Sequence, residues 1–569
     1  MHKSYDKFIR LAIKRNPQSA EDFLALKKEL SGKFKLPMDT NANIREYYEK
    51  MIKNRQIKRH LKFEEILQSR KIRTQSGVAV VAVLTKPSDC PGKCLYCPTE
   101  KGMPKSYLSN EPAVMRAIDA KFNPYLQVQN RLYALEINGH KTDKIELIVM
   151  GGTFSYFPKK YQQWFITECF QAANEYDRRI HHVKSSAKAE MLEEQFNRAS
   201  KRNETAKHRI IGLTLETRPD YIDEKEILNF RHLGCTRVEL GVQSIFNSVL
   251  KKNNRGHDIQ KTIDATRLLK DAGFKINYHI MPGLLGSSLK KDYEMFQKLF
   301  SDSAFQPDML KIYPTVVLKN SKLYKVWKQK KYIPLTDKNF QKLVVKIKND
   351  LIPPYVRISR LVRDVPSTSI IAGPTISNLR QIIAKESRCQ CIRCREVRAS
   401  YPPTSRSGRE VCRAGEIKLN RINYKASGGK EIFLQYVSPD KKKLFALLRL
   451  RIPSFACHPE RVKRVEGSNP IRFLDCTRND KLYELLPALK NAALIREVHT
   501  YGKVTAINKK DKTSPQHIGL GKKLMLEAEK IARKEFKLNK IVVISGIGVR
   551  GYYKKLGYRQ KDTYMIKSI

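Results

Sequence analysis

Between residues 77 and 318, short β-rich runs alternate with helical segments, and this rhythm restricts the fold more than any other feature of the chain. The runs are 77–87 (GVAVVAVLTKP), 144–154 (KIELIVMGGTF), 209–219 (RIIGLTLETRP), 235–244 (CTRVELGVQS), 275–284 (KINYHIMPGL) and 309–317 (MLKIYPTVV). Helical stretches such as 162–176 (QQWFITECFQAANEY) and 259–274 (IQKTIDATRLLKDAGF) separate them. Strand–helix alternation implies a parallel sheet, because parallel neighbours need a crossover long enough to hold a helix. Six such units predict an α/β fold with a partial (β/α)6 barrel, whose chemistry belongs at the C-terminal strand ends. The unusual residues fall at those ends: three cysteines after the first run, then Gly151-Gly152-Thr153, Glu216 to Pro219, Gln243-Ser244, and His279 to Gly283.

The rest of the chain has a different character. Residues 1–75 read as basic helices, with helical apolar spacing in 21–30 and 43–73 and 19 Lys and Arg against 9 Asp and Glu. Tyr47 and Tyr48 stand among the basic residues there, a mixture that suits a phosphate backbone almost as well as a solvated helix face. Residues 319–428 form a connector with a second cysteine group, and 429–569 a compact α/β domain of another type. Within that domain 453–476 follows neither periodicity and reads as an inserted, mobile surface loop; 398–408 reads as a further insertion. Over all 569 residues, 110 Lys and Arg against 56 Asp and Glu leave a net +54. Such a surplus repels itself without a polyanion, so nucleic acid is the expected partner. The longest apolar run, 77–84, is far too short to span a bilayer, and the first 16 residues lack a signal-type apolar segment. The chain is read as cytoplasmic, and its eleven cysteines as metal ligands or catalytic thiols before disulfides.

Cys90, Cys94 and Cys97 follow the first predicted strand. Three thiolates suit a four-iron four-sulfur cluster with one iron left open, since fully ligated electron-transfer clusters take four. Zinc with a distant fourth ligand, or plain thiols, are the alternatives. The Cys-x3-Cys-x2-Cys run resembles the radical S-adenosylmethionine superfamily, in which the open iron chelates the amino and carboxylate groups of S-adenosylmethionine. By that resemblance Tyr96 packs on the adenine, and the turn Gly151, Gly152, Thr153 holds the methionine amino group. Glu216 and Gln243 suit the ribose or the carboxylate, or are buried hydrogen-bonded groups of a barrel mouth.

Near the C-terminus, Gln516-x-x-Gly519-x-Gly521 runs into a helix. Glycine amides at a helix start make an anion cradle for a pyrophosphate. With the strand before it and Tyr552 and Tyr553 beyond the next strand, the arrangement resembles a GNAT acetyltransferase and its acetyl-coenzyme A site. The two tyrosines either line the thioester channel or are core aromatics.

A radical-forming barrel joined to an acetyl-coenzyme A domain on a very basic chain resembles the Elongator protein 3 family, over almost all of 70–569. The matching strings include SGVAVVAVLTKP, EPAVMRAI, NPYLQVQNRL, LETRPDY, NRGH, CIRCREV, REVHTYG and YYKKLGY. The resemblance implies modification of the wobble uridine of transfer RNA. A 5′-deoxyadenosyl radical takes hydrogen from the methyl of acetyl-coenzyme A, the acetyl radical adds to uridine carbon 5, and thioester hydrolysis leaves 5-carboxymethyluridine. It implies acetyl-coenzyme A contacts at Lys144, at Glu497, Val498, His499 and Thr500, at Leu520 to Lys522, and at Tyr553. Cys90, Cys94, Cys97, Lys144 and Tyr553 form the candidate catalytic set. Cys389, Cys391 and Cys394 match a zinc knot between the two domains, with Cys412 the nearest candidate for a fourth ligand. Cys457, His458 and Cys476 are not assigned to metal, and Cys169 and Cys235 read as packing. Two rivals remain: a lysine acetyltransferase with Glu497 as general base, and a non-catalytic transfer-RNA-binding scaffold. The electron donor and any partner subunits stay unidentified.

Overall fold

The computed structural model describes residues 2–69, 74, 77–177, 191–397, 417–453, 480–502 and 519–569. Seven strands form one parallel sheet in sequential order: β1 (Ala79–Leu84), β2 (Lys144–Met150), β3 (Arg209–Thr217), β4 (Arg237–Gln243), β5 (Lys275–Ile280), β6 (Met309–Ile312) and β7 (Arg357–Arg360). The first six are the expected ones. β7 adds a seventh from within the stretch read as connector, where four residues are too few to show a periodicity. Sequential order means that every crossover turns the same way, so the helices stack on one face and the sheet curls around the other. Several crossover helices are started by a capping side chain. Asn123 accepts from Leu126 N ahead of Pro124–Ile137, Asp258 from Lys261 N ahead of Ile259–Asp271, and Ser288 from Lys291 N ahead of Leu289–Ser301.

Parallel strands covered on both faces usually read as unbroken apolar runs. Here alternate positions differ in kind. Val81, Leu147, Val149, Val238, Leu240, Ile276, Tyr278 and Leu310 face the helices and are fully buried among them. Glu146, Glu239, His279 and Lys311 face the inside of the curl and line a cavity. The barrel interior is therefore polar, and its strands can carry chemistry along their length.

Ahead of the barrel, helices His2–Arg15, Ala20–Lys33, Asn41–Lys53 and Leu61–Leu67 pack around their own core of Phe8, Phe23, Leu30, Tyr48 and Phe63. After it, a second seven-stranded sheet comprises β8 (Lys418–Ala426), β9 (Gly429–Val437), β10 (Leu444–Ile452), β11 (Ala493–Thr500), β12 (Lys540–Val543), β13 (Arg559–Lys561) and β14 (Tyr564–Ser568). Their order is β8-β9-β10-β11-β12-β14-β13, and β11 with β12 is its one parallel pairing. That pairing covers only Ala493 to Ile495, whereas β11 stays paired to β10 as far as Thr500. The sheet thus parts on one side of β11 beyond Ile495. Helix Leu520–Phe536 packs across the sheet through Leu520, Leu524, Met525, Ala528 and Ile531.

The second domain docks on the N-terminal ends of the barrel strands. A Cβ at Gly546 would collide with the carbonyl of Ile211, and one at Gly548 would lie 2.8 Å from Arg209 Cβ. Between the two sheets lies a wholly buried charge network. Arg496 Nη1 lies 3.0 Å from Asp308 and 3.0 Å from Glu431. Arg451 Nε donates to Asp271 (2.8 Å), and its Nη1 to Glu431 (3.0 Å).

Candidate active site

The loop after β1 carries the three cysteines to the C-terminal mouth of the barrel. Cys97 N donates to Cys94 O (3.3 Å), and Gly92 N points at Cys90 Sγ (3.4 Å), so the loop folds tightly around its own thiols. Cys90 Sγ lies 4.0 Å from Thr153 Oγ1, at the end of β2. Gly151 and Gly152 have φ of 133° and 97°, in the region that disfavours other residues, and a Cβ at Gly151 would collide with Thr85 Oγ1. Glycine here lets the turn close onto the β1 loop.

Cys90, Cys94, Tyr96, Cys97, Gly152, Thr153, Glu216 and Gln243 line one cavity of about 790 Å³. The structure thus gathers residues that the sequence spreads over more than 150 positions; Gly151 is not among the lining residues and lies against Thr85. Gln243 has φ 67°, unusual for a residue with a side chain, and its Oε1 is buried with no partner. Tyr96 Oη is likewise buried without a partner. Tyr107 donates to Glu216 (2.9 Å).

Burial, then the neighbouring Cys94 and Cys90, push the Cys97 thiol up to about 12, so three thiolates here call for a positive group between them. Arg255, buried, donates toward Cys94 Sγ (3.7 Å) and to Gly241 O, and pairs with no carboxylate among the described residues. Three thiols lining one cavity, glycine backbone, a buried cation and orphaned polar atoms fit an iron–sulfur cluster together with an amino-acid-bearing ligand.

Deeper in the cavity, Glu239 Oε2 lies 2.8 Å from His279 Nε2 and also pairs with Lys311, while Asn277 donates to Oε1 (3.1 Å). Burial raises the Glu239 carboxyl, but Lys311, then His279 and Arg237, outweigh it and hold the group well below the usual range. Glu216, Glu239 and His279 offer atoms within 4.8 Å of one another, yet Lys311 already supplies the cation among them. At the floor Arg237 pairs with Glu146. Of this layer the sequence reading singled out only His279; Glu146, Arg237, Glu239, Asn277 and Lys311 leave just a trace, polar residues at alternate positions of β4 and β5 and single ones in β2 and β6.

The second candidate site forms where β11 leaves β12. Gly519, φ 77°, caps Leu520–Phe536. A Cβ on Gly521 would lie 3.1 Å from Tyr552 Oη and 3.7 Å from Thr500 Cγ2, so the glycine turn, the end of β11 and Tyr552 converge. Tyr552 is 39% exposed, whereas Tyr553 is buried against the rings of Tyr552 (5.3 Å) and Tyr558 (6.1 Å). Gln516 lies outside the described residues. Lys522 is exposed, and Val498 packs against the domain core. Glu497 is held between Lys275 (3.2 Å) and Arg449 (2.9 Å). Burial would raise it, yet Lys275 and Arg449 bring it down to about 2. Lys144 begins β2, at the barrel end on which this domain docks; burial lowers its pKa. The cysteines lie at the other end of the strands, about 20 Å away for a seven-residue strand.

Cys389, Cys391 and Cys394 bring their sulfurs within 4.8 Å of one another. Cys391 is fully buried, and hydrogen bonds from Cys389 and Cys394 draw its pKa well down. Three sulfurs gathered this closely are a donor set that suits a soft divalent cation. Cys412, Cys457, His458 and Cys476 lie outside the described residues.

A family model for the radical SAM superfamily matches residues 87–299, and one for the radical SAM C-terminal domain matches 307–388. The barrel with its three-cysteine mouth is thus a radical S-adenosylmethionine domain, a class that works with a 4Fe-4S cluster and S-adenosylmethionine. Over 516 residues the chain is 43% identical to a Methanocaldococcus infernus protein named tRNA uridine(34) acetyltransferase, covering 89% of this chain and 88% of that one. Human Elongator complex protein 3 is 37% identical over 517 residues, 88% and 86% of the two chains. A solved structure of archaeal Elongator protein 3 from M. infernus, with an N-terminal deletion, superposes with a TM-score of 0.67 at 40% identity, covering 87% of this chain and 100% of that one. The chain belongs to the Elongator protein 3 family.

Proposed function

We propose that this protein modifies the wobble uridine of transfer RNA, using acetyl-coenzyme A as the carbon source and giving 5-carboxymethyluridine. The observation that carries the reading is the one cavity faced by Cys90, Cys94, Cys97, Gly152, Thr153, Glu216 and Gln243. Names borne by relatives at 37–43% identity supply the substrate class. When bound, the cluster and S-adenosylmethionine supply a carbon-centred radical able to take hydrogen from a methyl group. The chain's own residues do the rest. Cys90, Cys94 and Cys97 would anchor the iron, and Gly152, Thr153, Glu216 and Gln243 would hold the amino acid and ribose. Arg116, Arg360 and Arg363 at the cavity wall suit a phosphate backbone. The glycine turn at 519–521 would cradle pyrophosphate, with the β11 edge at Glu497 to Thr500, Tyr552, Tyr553 and Lys144 along the thioester arm. Residues 1–75 would grip RNA, 76–318 run the radical step, 319–428 hold zinc through Cys389, Cys391 and Cys394, and 429–569 bind acetyl-coenzyme A. No described helix is long and apolar enough to cross a membrane, and a cytoplasmic site of action is part of the proposal.

Glu497 argues against the lysine acetyltransferase rival. A general base needs a pKa near the working pH, and a carboxylate at about 2 locked to Lys275 and Arg449 does not meet that need. The test is anaerobic reconstitution with iron and sulfide, followed by S-adenosylmethionine, transfer RNA and trideuteroacetyl-coenzyme A. Mass spectrometry should find deuterium in 5′-deoxyadenosine and 5-carboxymethyluridine in the RNA. Cys94→Ala should abolish both while leaving RNA affinity unchanged. Acetylated lysine without modified uridine would sink the proposal.

A further inference from the structure

We propose that residues 319–331 form a docking surface for an acidic, one-electron carrier protein that reduces the cluster. The proposal rests on the iron–sulfur reading of Cys90, Cys94 and Cys97. This short segment carries six lysines, at 319, 322, 325, 328, 330 and 331, with no arginine and no acidic residue. All six are exposed, and none pairs with a carboxylate among the described residues. Lys322, Lys325 and Lys328 recur at helical spacing over Leu323–Lys328, so that turn presents them along one side.

The segment is bolted to the back of the cysteine loop. Thr99 N donates to Asn320 O (2.9 Å), Leu323 N donates to Leu95 O (2.8 Å), and Pro98 bridges to Ser321. Tyr96, between Cys94 and Cys97, packs against the buried cluster of Val317, Leu323 and Tyr332, and Tyr324 and Trp327, whose rings stack at 5.8 Å, pack against the same cluster. None of residues 319–331 lines the cavity. The lysines therefore lie on the outer side of the loop whose inner side faces the substrates.

An electron must reach the cluster while S-adenosylmethionine and a nucleotide fill the cavity, and tunnelling falls steeply with distance. The outer face of the loop meets both demands, because Tyr96, next to Cys97 and two residues from Cys94, packs against the same buried cluster as the segment's own aromatic rings. The type of cation also discriminates. Arginine forks, the groups that grip phosphate, stand at the cavity (Arg116, Arg360, Arg363), whereas hydrated lysine point charges suit a brief encounter with carboxylates. Redox encounters of that kind use small, charged interfaces. The carrier would lose one electron and the cluster gain it, with no bond made or broken.

The test compares the reconstituted protein with the triple variant Lys322→Gln, Lys325→Gln, Lys328→Gln and its charge-keeping counterpart Lys322→Arg, Lys325→Arg, Lys328→Arg. Iron and sulfide are assayed in each. Cluster reduction is timed with reduced [2Fe-2S] ferredoxin and, separately, with dithionite, and transfer RNA affinity is measured alongside. The glutamine variant should take up a full cluster, react with dithionite at the wild-type rate, and react with ferredoxin about tenfold more slowly with a flattened salt dependence; the arginine variant should retain the rate. An unchanged ferredoxin rate overturns the proposal. So does a loss of transfer RNA affinity with ferredoxin reduction intact, or equal losses of both, which would mark an RNA or unselective anion surface. A slower dithionite reaction or an incomplete cluster would make the segment a support for the loop, and would also overturn it. A wild-type protein that binds no cluster refutes the underlying reading instead.

Discussion

Glu497 shows how little a residue's type says about its role. In the string REVHTYG it is an acid beside an expected thioester, and a general base is the natural reading of such a group. In the fold it is a tether, with Lys275 of the barrel on one oxygen and Arg449 of the second sheet on the other. Its folded pKa, about 2, lies below the unfolded carboxylate value near 4.3. A depressed acid contributes stability that is complete above the unfolded pKa and is lost as pH falls through the folded one. Glu497 should therefore add about 3 kcal/mol at neutral pH, lost between about pH 4.5 and 2. Denaturant titrations across that window should find Glu497→Gln less stable than wild type at pH 7, with the gap narrowing toward pH 2. A constant gap would contradict the assignment.

Among the elements, the strands explain most of the site. β2 reads KIELIVM, and alternate burial sends Ile145, Leu147 and Val149 to the helices while Glu146 and Ile148 face the lumen. One strand thus serves core and cavity together, which apolar periodicity registers only as imperfection. The glycine-led helix Leu520–Phe536 is the other decisive element, because its first turn meets Thr500 and Tyr552. Gly521→Val would push a branched side chain into Tyr552 Oη, 3.1 Å from the site of its Cβ, and against Thr500 Cγ2 at the end of β11, 3.7 Å away. Calorimetry should show at least a tenfold loss of acetyl-coenzyme A affinity, about 1.4 kcal/mol, with unchanged iron content. Equal affinity in the two proteins would remove the cradle from that turn.

Across the whole molecule, the two domains are joined by charges out of reach of water. Arg496, Asp308 and Glu431 are buried, and Lys270 sits among them with its pKa lowered by burial to about 8. Removing one partner of such a set leaves buried carboxylates short of countercharge, at about 3–5 kcal/mol. Arg496→Met should cost that much and split a single thermal transition into two as the sheets separate; a single transition of unchanged midpoint would count against the network as the domain lock. The sequence by itself determined the strand–helix order, the three-thiol mouth, the glycine turns and the family, because each is a local pattern with a fixed chemical consequence. Tertiary structure alone decided the seventh strand, the polar lumen, the ion-paired state of Glu497 and the opposite placement of the two candidate sites. Those depend on contacts between residues hundreds of positions apart, such as Lys275 with Glu497 and Gly546 with Ile211, and no local spacing encodes which distant charges will share one buried volume.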